Sequence, residues 1–220
     1  MLVRQISLKH GVHARAVNIS EDKEIQDALT KLEIPHPRPS IVLVGGAGGI
    51  GWLDRFPMRK AIGIVAKLAE ETGSAVVDGG TQAGIMKEIG RQRKRNKFSF
   101  PLIGVVFDSL LMKEEPKSIL DAYHTHFFLI PGDDWGDESA WISKLATHIA
   151  GDKKSITVLV NGGPISRTDV GYSILEHRPA FVMRGTGRMA DKITLGDHVI
   201  PIDISEKPDE IQEFLKTRLT

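Results

Sequence analysis

Short unbroken apolar runs punctuate the chain, and most stop at a glycine cluster. Residues 40–44 (SIVLV) lead into Gly45, Gly46, Gly48 and Gly49, and residues 75–77 into Asp78-Gly79-Gly80-Thr81. Residues 126–130 (HFFLI) lead into Pro131-Gly132-Asp133-Asp134-Trp135-Gly136, residues 156–160 into Asn161-Gly162-Gly163, and residues 180–183 into Gly185-Thr186-Gly187. A sixth run, 101–107, ends at Asp108-Ser109 without a glycine pair. Runs this short with no polar alternation suit strands covered on both faces, as in parallel sheets.

The period changes to that of a helix between these runs. Met58, Ile62, Val65, Leu68 and Ala69 form one stripe, with Arg59, Lys60, Lys67 and Glu70 turned away. Pro57 suits the first turn of this helix and Gly73 its stop. Ile85, Met86 and Ile89 form a second stripe, and Trp141, Leu145 and Ile149 a third that Asp137-Glu138 opens. Val170 and Ile174 lie on a helix that Ser166-Arg167-Thr168-Asp169 opens in the manner of a capping box. Residues 208–219 read as a terminal helix. Strands alternating with helices predict one α/β domain, with a mainly parallel sheet and helices on both faces. The domain divides into an N-terminal extension (1–39), a core (40–195) and a C-terminal strand and helix (196–220). The extension is weakly patterned, with room for an extra strand and a helix over 24–32.

Composition narrows the function classes. The 220 residues are 41% apolar and 26% charged, with a formal net charge of +1, so no global charge draws the chain to nucleic acid or to an acidic membrane surface. The absence of cysteine removes disulfides, thiolate metal sites and cysteine nucleophiles. No apolar run reaches the length of a membrane span, and the first residues lack the apolar centre of a secretion signal. A cytoplasmic protein with no membrane contact is the expectation.

The 22 glycines gather at strand ends, where open parallel sheets bind ligands and where the next helix N-terminus favours an anion. Gly46-Ala-Gly48-Gly-Ile-Gly51, with Asp78 at the end of the following strand, spells the dinucleotide fingerprint of an NAD(P)-dependent oxidoreductase. Against that reading, residues 52–57 delay the helix, and Asp78 is followed at once by a further glycine loop. A Walker loop is absent, since no Lys-Ser/Thr follows the first cluster.

Four segments in order resemble one family: Asp78-Gly-Gly-Thr-Gln-Ala-Gly-Ile-Met86, His124-Thr-His-Phe-Phe-Leu-Ile130, Val160-Asn-Gly-Gly163 and Gly185-Thr-Gly-Arg-Met-Ala-Asp191. Together they resemble the SLOG superfamily, in the branch shared with the cytosolic N-terminal region of TRPM cation channels. The resemblance spans residues 40–195 and implies a Rossmann-like three-layer fold in a stand-alone prokaryotic-type protein. It also implies a nucleotide ligand, with ADP-ribose or a related NAD-derived nucleotide leading, sensed rather than turned over. The LOG branch of the same superfamily splits nucleoside monophosphates through a P-G-G-x-G-T-x-x-E motif. Residues 131–138 depart from it by one added residue and a missing threonine, which leaves a hydrolase as the alternative.

The expected ligand contacts follow. Gly45, Gly46, Gly48, Gly49, Gly79, Gly80 and Thr81 would hold the phosphates from the first loops, and Gly185, Thr186, Gly187 and Arg188 from the last. Gly84, Met86, Asn161, Gly162 and Gly163 would contact the ligand beside them. Asp134, Trp135 and Gly136 would meet ribose or base, and Glu138 or Asp133 would act as the acid/base of a hydrolase. Thr81 is expected to cap a helix, with its hydroxyl toward phosphate. Arg188 is expected in the first turn of a helix, where a cation opposes the dipole unless an anion or Asp191 answers it. His124 and His126 share one face and suit either packing or a metal pair. The acidic residues 133, 134, 137 and 138 suit either Mg²⁺ or a solvated helix start. No resident cofactor is otherwise required, and a homo-oligomer is expected. The basic run 91–97 holds no aromatic residue to stack a base and suits a solvated helix end.

Overall fold

The structure is a computed structural model that describes residues 1–46, 48, 51, 54–194 and 196–220. The N-terminal part contributes β1 (Val3–Ser7), β2 (His13–Asn18) and α1 (Ile25–Lys31). Then follow β3 (Ser40–Gly45), α2 (Arg55–Thr72), β4 (Ala75–Asp78), α3 (Gly84–Arg95), β5 (Leu102–Phe107), α4 (Asp108–Lys113) and α5 (Pro116–Ile119). The second half runs β6 (His126–Ile130), α6 (Glu138–Ala150), β7 (Ser155–Val160), α7 (Ile165–Leu175), β8 (Ala180–Arg184), α8 (Met189–Lys192), β9 (Val199–Asp203) and α9 (Pro208–Lys216). All six apolar runs are therefore strands.

The strands form one nine-stranded sheet in the order β1-β2-β6-β5-β4-β3-β7-β8-β9. Only β1 against β2 is antiparallel. Side chains along a strand alternate between faces, and the core divides accordingly. Ile41 and Leu43 of β3 pack with Ile62 of α2, Ile89 of α3 and Ile211 of α9. Val42 and Val44 face the other way, toward Leu29 of α1, Leu145 of α6, Val170 of α7 and Ala190 of α8. Helices thus cover both faces of a Rossmann-like sheet.

Residues 1–39 are built into this sheet and core. They hold two strands, of which β2 runs parallel to β6 from Arg15 opposite His126. Ile25, Leu29 and Leu32 are fully buried. At the end of α2, Gly73 takes φ 64°, the left-handed stop its sequence position suggests. The basic run closes α3, with Arg93, Lys94 and Arg95 in its last turn, where cations complement the dipole.

Three local expectations are corrected. The helix after β4 opens at Gly84, so Thr81 does not cap it; Thr81 forms an isolated bridge with Leu120 instead. The helix after β7 opens at Ile165, which places Ser166 and Asp169 inside it rather than in a capping box. Arg188 stands just before α8, at φ 55° and ψ −125°, outside the first turn.

Candidate functional site

Chain progression reverses at β3. From there the sheet grows one way through β4, β5 and β6, and the other way through β7, β8 and β9. Such a switch point opens a crevice at the carboxyl ends of the two diverging strands. A cavity of about 290 Å³ lies there. Gly45, Gly46 and Gly48 line it after β3, Gly79 and Thr81 after β4, and Met86 from α3. Trp135, Glu138 and Ile142 line it from the β6–α6 side, and Gly163, Ile165 and Asp169 from the β7–α7 side. Arg188 is the lining residue from the β8–α8 loop. Gly49 lies outside the described residues.

The Arg188 guanidinium sits across two glycine loops. Its Nη1 donates to the carbonyl of Gly48 at 2.7 Å. A Cβ on Gly46 would come within 2.9 Å of Nη1, and one on Gly163 within 3.3 Å of Nη2. The missing side chains are what let this cation lie at the cavity. Asp191 does not answer it: its carboxylate accepts the N–H groups of Gly185 (2.6 Å) and Gly187 (3.0 Å), which ties the loop instead.

Several expected contacts shape the loops and do not line the cavity. Asn161 and Thr186 are fully buried. The Asn161 N–H donates to Thr186 Oγ1 (2.8 Å) and its Nδ2 to the Thr186 carbonyl (2.6 Å), joining the ends of β7 and β8. Gly162 turns at φ 87° against Ser166 and Leu159; Gly185 and Gly187 turn at φ 82° and 91° against Ile204 and Asp54. Gly84 opens α3 at φ 47°. Gly80, at φ 62°, is packed so closely on Gly104 and Phe127 that a Cβ would come within 2.8 Å of each. It is packed against β5 and β6 and does not line the cavity.

Asp78 and His124 are likewise committed to the interior. Asp78 Oδ1 accepts the N–H of Gly80 (2.7 Å) and pairs with His124 Nε2 (2.8 Å), while His124 Nδ1 pairs with Asp121 Oδ2 (3.0 Å). Burial by itself would depress this imidazole; the two carboxylates outweigh it and raise its pKa to about 9. Asp78 is fully buried and does not line the cavity, which counts against the ribose contact of the oxidoreductase reading. His126, by contrast, is pushed down to about 4, chiefly by burial, and its Nδ1 meets Thr125 Oγ1 at 2.8 Å. His124 is thus held by two carboxylates and His126 by Thr125, an arrangement that matches the packing reading of the pair.

The acidic loop divides in the same way. Asp133 is exposed, 3.9 Å from Lys113. Asp137 accepts the N–H groups of Asp133 and Asp134 (3.2 Å each). Neither Asp133, Asp134 nor Gly136 lines the cavity, whereas Trp135 and Glu138 do. Trp135 stands edge-on to Phe107, ring centres 5.3 Å apart. Among the described residues no three His, Asp or Glu side chains converge on a metal position.

Glu138 Oε2 accepts the Gly136 N–H at 2.8 Å, and burial raises its pKa. Asp169, which sequence reasoning placed in a helix cap, turns inward across the α6–α7 contact and accepts the Ser139 hydroxyl at 2.5 Å. Burial first, then the charge of Glu138, raises its pKa to about 6. Its spacing from Val170 and Ile174 gave no sign of this, because the neighbour that aims it comes from another helix.

Fold and site together define a Rossmann-like protein with a glycine-walled cavity at the switch point of its sheet. Residues 38–217 match the family described as SLOG in TRPM, prokaryote, and the chain belongs to that family. It is also similar to transient receptor potential cation channel subfamily M member 2 of Mus musculus, 23% identical over 245 residues that cover 91% of this chain and 16% of the channel. A subfamily M member-like 2 protein of Nematostella vectensis is 26% identical over 75% of this chain and 13% of its own length. The chain thus spans under a fifth of the curated relatives it matches. The X-ray structure of TM1055 shares the fold at a TM-score of 0.56, covering 80% of this chain and 99% of that one at 16% identity.

Proposed function

We propose that the chain binds a nucleotide-derived phosphate ligand, ADP-ribose or a related NAD-derived nucleotide, in the cavity between β3 and β7, and acts as a sensor of it. The supporting observation is the placement of Arg188 across Gly46, Gly48 and Gly163 at the switch point. Its planar fork suits bidentate contact with phosphate. Glycine walls let a pyrophosphate approach the backbone. Trp135 and Ile165 offer the apolar surface a base requires. The family and the similarity to TRPM proteins support a nucleotide-type ligand.

One observation favours hydrolysis as the second reading: Glu138 reaches the cavity with a raised pKa, as a general acid or base would. Calorimetric titration with ADP-ribose and adenine nucleotides, followed by chromatography of the products, separates the two. A sensor binds and returns its ligand intact. If turnover occurs, Glu138→Gln abolishes it while binding persists; turnover undiminished in that variant excludes this residue as the acid/base.

A further inference from the structure

The cavity at the switch point places two carboxyls among apolar walls. Glu138 comes from the start of α6 and Asp169 from α7, with Trp135, Ile142 and Ile165 beside them. The charged groups facing Asp169 are few. From α6 there is Glu138, with Asp137 adding its own negative charge behind it. From the β8–α8 loop there is Arg188, whose guanidinium is turned to the Gly48 carbonyl and lies along Gly46 and Gly163. No other cation lines the cavity among the described residues.

A second, independent observation marks the same cavity as built for a ligand. The Thr81 side chain, 6% exposed, lines it with a hydroxyl that has no hydrogen-bond partner among the described residues. Buried polar atoms are ordinarily paired, so this hydroxyl awaits a polar group from elsewhere.

Two like-charged groups in apolar surroundings disfavour each other's ionised form; burial first, and then the charge of Glu138, raise the Asp169 pKa to about 6. A neutral sugar would satisfy hydrogen bonds here but leave the negative charge unbalanced, whereas a ring cation answers the charge. A planar organic cation suits these walls, since the aromatic Trp135 lines the same cavity. Mg²⁺ is less suited, because it dehydrates reluctantly and demands a shell of oxygens.

We infer that the ligand end meeting Glu138 and Asp169 carries a fixed positive charge on a planar ring, so that the site prefers a ring-cationic nucleotide, such as an oxidised pyridinium nucleotide, over neutral counterparts. The inference rests on the nucleotide reading above, narrows it from ADP-ribose, which carries no ring cation and would bind more weakly, to a pyridinium-bearing relative, and makes Asp169 the residue that sets this specificity.

Titration calorimetry on the full chain tests it, with nicotinamide mononucleotide, its reduced form and AMP as probes, first with a chelator and then with Mg²⁺. At about pH 7.5, where carboxylates are ordinarily ionised, the oxidised form binds roughly tenfold or more tightly than the reduced form, the size of a lost charge-assisted contact. Asp169→Asn removes most of that difference. On going to about pH 5, below the raised Asp169 value, the oxidised form loses more affinity than AMP, because the carboxyl must release a proton to face the cation. AMP carries the same phosphate and so corrects for its titration. Equal affinity for oxidised and reduced forms of the probe overturns the inference while leaving the nucleotide reading intact. Mg²⁺ bringing the neutral probes to parity overturns it too, since the cation would then be a metal. Binding by none of the probes, nor by ADP-ribose, overturns both. The oxidised-to-reduced comparison uses the unmodified protein, so it stands even if the variant fails to fold.

Discussion

Arg188 holds a backbone conformation of φ 55°, ψ −125°, where side chains are uncommon and the cost is on the order of 1–3 kcal/mol. The strain is answered by position: this backbone carries the guanidinium onto the two glycine loops at the cavity. His124 makes the opposite investment. It is buried without access to ligand, and its charge ties the end of β4 to Asp121, just ahead of β6. Its pKa of about 9 lies above the ordinary 6.5, so its stabilising contribution is fully present below about pH 6.5. That contribution is lost as pH rises through 9. Denaturant unfolding across this window should show stability falling by on the order of 2 kcal/mol with rising pH. His124→Gln should be less stable at neutral pH and lack that decline. A wild-type profile flat across the window would show that the imidazole is not held charged.

At the scale of elements, β4, β5 and β6 are drawn together by glycines that face one another. Gly80 and Gly104 meet at their Cα atoms beneath the Phe127 ring. Gly80→Val should therefore cost about 3 kcal/mol or more, as overpacking at a left-handed position does. Gly79→Ala, whose Cβ meets nothing within 4 Å, should leave stability within about 1 kcal/mol. Chemical denaturation of the two variants checks both; equal stability would contradict the close packing of Gly80 on Gly104 and Phe127. Adjacent glycines in one motif thus do different work, and a sequence does not separate them, because the neighbour that crowds Gly80 lies in another strand. The strands from β3 to β8 were legible, since burial on both faces writes an unbroken apolar run. The β1–β2 hairpin was not, because β1 is an edge strand whose residues are mostly exposed. Glu138, Trp135 and Arg188, candidates named from motif and charge, all line the cavity. Asp169 was not legible, since only the packing of α6 on α7 aims it inward.

Over the whole molecule, the sheet order concentrates chemistry at one place. Five strand-end loops carry glycine or turn clusters, and the divergence of β3 and β7 opens a cavity among them. The other loops either supply a wall, as at Gly79 and Thr81, or brace one, as Asn161 and Thr186 do. No helix among the described residues is long and apolar enough to cross a membrane. The account therefore rests on a ligand held at the switch point through Arg188. Calorimetric titration of ADP-ribose into the wild-type chain and into Arg188→Ala tests it most directly. The affinity of the variant should fall by about 1.5–3 kcal/mol, the usual size of a hydrogen bond to a charged group, while its melting temperature without ligand stays nearly level, since alanine keeps the same backbone and only the exposed contact with the Gly48 carbonyl is lost. Unchanged affinity, with a lowered melting temperature, would contradict the account and leave Arg188 a structural residue.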